Sequence, residues 1–104
     1  MRLLTKRQGR TLVAAFVGEL DQHSAEQARY ELDTLLEDES ITRIEFDLAG
    51  VTFMDSAGIG VLLGRYKKLS LRGGSMGVKN AIRSVERILR MSGVYTLVTE
   101  RSSR

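Results

Sequence analysis

The sequence has no cysteine and a single histidine, His23. No disulfide framework and no thiolate metal site can therefore exist, and little remains for any imidazole-based site. Long hydrophobic runs are also missing. The apolar stretches last only a few residues, and Met1-Arg2-Leu3-Leu4 leads into Lys6-Arg7 rather than into the apolar region of a signal peptide. This predicts a soluble, cytoplasmic protein with no membrane contact. Aromatic residues amount to 6%, and the basic stretch Arg65 to Arg90, with eight Lys or Arg against Glu86, has only Tyr66 interleaved. Such a pattern is better explained by solvated helix faces than by a nucleic-acid reader, so no direct nucleic-acid contact is expected.

What is present describes an ordinary globular chain. Hydrophobic residues make up 42% and charged residues 28% of 104, which is the size and balance of one self-folding domain spanning 1–104. The net charge of +3 hides an asymmetry, since residues 19–55 hold eleven Asp or Glu against Arg29 and Arg43. Residues 11–17 form an apolar run ending at Gly18, read as a central strand, with residues 2–7 pairing to it across Gln8-Gly9-Arg10. Ser24 followed by Gln27 predicts a capping box opening a helix over about 24–38, whose face is Ala25, Ala28, Leu32, Leu35 and Leu36. Ile44, Phe46 and Leu48 alternate with Glu45 and Asp47, predicting a strand over 42–48. Helices follow over about 57–71 and 82–92, with short strands at 76–78 and 95–98. The tail 99–104 is polar and expected to fray. Alternating strands and helices predict an α/β layer, a mixed sheet of four to five strands flanked by helices.

The segment Asp55-Ser56-Ala57-Gly58-Ile59-Gly60 places a serine where an exposed turn meets a helix start. Two readings stand side by side. Ser56 or Asp55 simply caps the helix, or the free N–H groups and helix dipole stabilise a phosphate carried by Ser56. Gly58 and Gly60 weaken a helix and would leave room for an approaching partner. A serine hydrolase is disfavoured, because a nucleophile elbow needs glycine where Met54 stands and His23 lies beside Ser24. A nucleotide loop is disfavoured too, since Gly58-Ile59-Gly60 lacks the third glycine of a dinucleotide fingerprint and no Lys-Ser or Lys-Thr follows a glycine. The carboxylate pairs Asp47 with Asp55 and Asp38 with Glu39 read as solvated surface.

Gly18-Glu19-Leu20-Asp21, the run from Phe53 to Lys67 that contains Asp55-Ser56-Ala57-Gly58-Ile59-Gly60, and Met91-Ser92-Gly93 together resemble the bacterial anti-sigma factor antagonists of the STAS family. The likeness covers about residues 10–98. It implies the STAS fold and a protein that is not an enzyme and needs no cofactor or metal. It further implies a partner that is both anti-sigma factor and serine kinase, bound by the unphosphorylated form so that a sigma factor is freed. Ser56 is then the phosphoacceptor, Asp21, Asp55, Ser56, Ala57, Gly58 and Gly60 lie in the kinase-binding surface, and a serine phosphatase restores the active form. A STAS module of a stress-signalling complex or of transporter regulation is the alternative. Three departures stand out: Ala57 replaces a usual second serine, Ala81 to Val85 lack a common proline, and relatives continue past Arg104 into a final helix. The last of these leaves either a monomer or a weak homodimer as the expected state.

Overall fold

A computed structural model describes residues 1–98. The chain runs β1 (Arg2–Gln8), β2 (Thr11–Leu20), α1 (Ala25–Leu35), β3 (Arg43–Met54), α2 (Ser56–Ser70), β4 (Ser75–Lys79) and α3 (Arg83–Met91), followed by a 3-10 turn at Val94–Thr96. The four strands form one sheet in the order β1-β2-β3-β4. β1 is antiparallel to β2 through the tight turn at Gly9-Arg10, whereas β2, β3 and β4 are parallel. Parallel neighbours require crossovers, and α1 and α2 supply them.

The register explains the alternation read in the sequence. Leu12 lies beside Ile44 and Ile44 beside Met76, while Ala14 lies beside Phe46 and Phe46 beside Val78. These even-numbered side chains share one face, and all but the half-buried Val78 are buried. The rings of Phe16 and Phe46 stack at 6.1 Å between centroids. On the helical side, Ala28, Leu32, Val61, Leu62 and Leu69 complete the same core. α1 and α2 are further joined by Arg65, 6% exposed, whose Nε lies 3.0 Å from Asp33 Oδ1.

The connection from α1 to β3 is held from two sides. Arg72, just after α2, donates from Nη1 to the carbonyls of Ile41 at 2.9 Å and Asp38 at 3.3 Å, and from Nη2 to that of Leu36. The Leu36 carbonyl lies at the helix end, where such acceptors are left over, whereas that of Asp38 also accepts from the N–H of Ile41. Removing the guanidinium in Arg72→Met is expected to cost about 2 kcal/mol, a Tm fall of about 10 °C. A melt within about 2 °C of wild type would show that the loop is held without it. From the other side, Asp38 accepts from Ser40 Oγ and from Arg7 Nη1, each at 2.6 Å. The Ser40 hydroxyl first, then Arg7, hold its carboxyl down to about 2 from the ordinary 3.8. A depressed carboxylate stabilises the fold above its unfolded pKa and loses that contribution as pH falls through the folded one. The Tm difference between wild type and Asp38→Asn is therefore expected to be complete at neutral pH and to vanish between about pH 4 and pH 2.

Four sequence expectations change. Tyr95 to Val98 is not a strand: Gly93 turns the chain at φ +82°, Val94–Thr96 forms the 3-10 turn, and Val94 is buried in the core beside α3. The first helix ends at Leu35, not 38, because Arg72 and the turn at Glu37 to Ile41 take the following carbonyls. β2 and β3 run on to Leu20 and Met54, past 17 and 48, since their pairing resumes beyond irregularities at Ala15/Val17 and Gly18/Glu19. The second helix begins at Ser56. Four strands are present among the described residues, the sheet remains mixed, and the tail 99–104 lies outside them.

Candidate functional site

The C-terminal ends of β2 and β3, two parallel neighbours, bring the two motifs together. Leu20 pairs with Met54, so the chain leaves the sheet at Asp21 and at Asp55 side by side. Such an edge, at the carboxyl ends of parallel strands, is where α/β sheets present their functional loops. The structure joins Asp21 and Asp55 through the loop between them and places Ser56, Ala57, Gly58 and Gly60 in the first turns of α2.

Asp55 is the N-cap. Its backbone is extended and its Oδ1 accepts from the N–H of Ala57 at 2.9 Å and of Gly58 at 3.2 Å. Its Oδ2 accepts from the N–H of Gln22 at 3.2 Å, tying the start of α2 to the loop after β2. Ser56 is the first helical residue and is exposed. Of the two readings left open by the sequence, capping thus falls to Asp55 and leaves the Ser56 side chain outward. Two of the free amides expected to receive a phosphate, those of Ala57 and Gly58, are already filled by the chain's own carboxylate.

The two glycines of this turn have different tasks. A Cβ on Gly58 would overlap the Leu20 carbonyl oxygen and Met54 Cγ, so the helix packs on the end of β2 only because that position has no side chain. A Cβ on Gly60 would meet nothing within 4 Å, and Gly60 is exposed. The helix itself gains nothing from it.

Asp21 is folded into its own loop. Its Oδ1 accepts from the N–H of His23 at 3.0 Å and of Ser24 at 3.1 Å. Desolvation raises its pKa, but the hydrogen bonds from Ser24 and His23 and the nearby His23 charge outweigh that, so the carboxyl lies below its ordinary value. The capping box expected from Ser24 and Gln27 is not formed. Ser24 Oγ accepts from the N–H of Asp21 and donates to the Glu19 carbonyl, while Gln27 donates to Glu31. Ser24 is therefore spent on shaping the Asp21 loop. Sequence reasoning missed that role and the Gln22 N–H contact, which is a backbone group and leaves no signature in residue type. Met1, Glu19, Asp21, His23, Ser24 and Gln27 line an open groove of about 430 Å³ on the loop that Gln22 ties to Asp55. No hydrogen bond joins His23 to Ser56 among the described residues, and no cluster of three metal-ligating side chains occurs among them. None of the described helices is long and apolar enough to cross a membrane.

A mixed four-stranded sheet with this motif at the end of β3 is a STAS domain, and that family matches residues 2–103. The chain belongs to the STAS family and, within it, groups with the anti-sigma factor antagonists. The anti-sigma F factor antagonist of Paenibacillus polymyxa is 37% identical over 87 residues, 84% of this chain and 74% of that one. Two solved structures are similar in sequence and shape. SpoIIAA, an anti-sigma factor antagonist, in its unphosphorylated form is 27% identical with a TM-score of 0.73, covering 86% of this chain and 83% of that one. The phosphorylated form of SpoIIAA, a Bacillus cell fate determinant, is 26% identical with a TM-score of 0.76, covering 98% and 93%.

Proposed function

We propose that this chain is an anti-sigma factor antagonist that acts by binding rather than by catalysis. Unphosphorylated, it binds an anti-sigma factor that is also a serine kinase, and a sigma factor is released. Phosphorylation of Ser56 switches that binding off, and a serine phosphatase restores it. The observation that carries the reading is the exposed Ser56 at the first position of α2, presented outward because Asp55 does the capping. The likeness to a protein known in both unphosphorylated and phosphorylated forms supports it. So does the likeness to an anti-sigma F factor antagonist. Asp21, Asp55, Ala57 and Gly60 form, with the acceptor, the face offered to the kinase, while Gly58, expected from the sequence to belong to it, is buried and seats the helix on β2 beneath.

The test is intact-mass analysis after incubation with the candidate kinase and ATP. Wild type is expected to gain the mass of one phosphate and Ser56→Ala none. No gain with a kinase that is active on its own known substrate would overturn the phosphoswitch and leave an unphosphorylated STAS interaction module, of a stress-signalling or transporter-regulating kind.

A further inference from the structure

The occupied helix start decides where a phosphate on Ser56 can go. We propose that Asp55 is the positioning residue of the switch: by holding the Ala57 and Gly58 amides it keeps the phosphate off the helix end and out in solvent, on the face the partner meets. The inference rests on the reading of Ser56 as phosphoacceptor and deepens it.

Three observations carry it. The carboxylate of Asp55 has three N–H donors, Ala57, Gly58 and Gln22, drawn from two separate elements. A phosphate taking the first two would have to expel a charged group that is already well bound, and would leave that group beside itself, detached from Gln22. Second, residues 56–64 carry no charged side chain, and the next cation along α2, Arg65, is buried against Asp33. Third, the groove on β2 and its following loop, which the Gln22 N–H ties to Asp55, sets Glu19 and Asp21 against His23 and the Met1 amino group, so no excess of cations is gathered there. No charged side chain on residues 56–64 compensates a phosphate, and the Ala57 and Gly58 amides are spent, leaving at the helix start only the N–H of Ser56 itself. The phosphate therefore projects with its charge unsatisfied, and the backbone beneath it does not move.

Phosphoserine incorporated at position 56 during synthesis makes the test independent of any kinase, so a failed kinase assay and a failed positioning inference are told apart. The phosphate is titrated by phosphorus NMR, with amide shifts followed in parallel, in a His23→Gln background that removes the single imidazole of the sequence. A free phosphoserine has its second pKa at about 6. With Asp55 in place it is expected to be raised by about half a unit, as one negative charge roughly 6 Å away in a high dielectric requires. The Ala57 and Gly58 amides should stay still while the phosphate ionises. Asp55→Asn, which caps equally well without charge, is expected to return the value toward about 6. Asp55→Ala frees the amides, so the value should fall below about 6 and both amides should move with the phosphate. A value below about 6 with Asp55 present, accompanied by Ala57 and Gly58 shifting as the phosphate ionises, would overturn the proposal.

Discussion

Gly58→Ala is expected to destabilise the protein by about 3 kcal/mol, a Tm loss of about 15 °C, although alanine is the better helix former. The added Cβ meets the Leu20 carbonyl oxygen and Met54 Cγ, and the first of these is backbone at the end of a buried strand. A flexible side chain could turn aside, but a strand carbonyl cannot. α2 would have to lift off β2, and the lift would strain the Asp55 contact to Gln22 that links the two halves of the site. Gly60→Ala, one residue beyond Ile59 in the same helix, has the opposite sign. Nothing lies within 4 Å of its Cβ, so the substitution is expected to be neutral or to stabilise by up to about 1 kcal/mol. Thermal melts of the two variants side by side check both. A Gly58→Ala protein melting within about 3 °C of wild type would remove the close approach from the account of the fold.

That contrast shows where the sequence stops informing. Both glycines read alike in the chain, as weak helix formers in a first turn, and only the position of Leu20 separates a packing glycine from a surface one. Patterns that depend on a residue's own neighbours were legible: the alternation of Ile44, Phe46 and Leu48, the face of α1 except for Leu35, which is exposed, and the turn at Asp55 and Ser56. Patterns decided by distant partners were not. Tyr95 to Val98 has strand composition, yet Gly93 reverses the chain and Val94 fills the core instead. Ser24 and Gln27 have the spacing of a capping box, yet Asp21 and Glu19 claim the serine first. The two long parallel strands outran their apolar runs because register irregularities let pairing resume beyond Gly18 and Gly50, and those irregularities have no local code.

Phosphorylation of Ser56 is expected to weaken binding to the anti-sigma kinase at least 100-fold, about 2.7 kcal/mol. The phosphate adds about −1.5 to −2 charges, and a surface fitted to a bare hydroxyl must either desolvate that charge without a partner or stand off from it. Long-range repulsion between the phosphate and a distant acidic surface would act differently, since it is screened by salt, whereas desolvation at contact is not. Calorimetric titration of the phosphorylated protein into nucleotide-loaded kinase, at low salt and at about 0.5 M, separates the two, because the screening length shrinks to about 4 Å. The loss is expected to persist at high salt, because the outward phosphate occupies the contact itself. Ser56→Ala should bind within about threefold of wild type, as a lost exposed hydroxyl costs under about 1 kcal/mol. Gly60→Leu should lose affinity about as severely as the phosphoprotein while melting close to wild type, since its side chain enters only the space the partner needs. Recovery of affinity in high salt would reassign the switch to long-range charge, and undiminished binding by Gly60→Leu would move the partner off the first turn of α2.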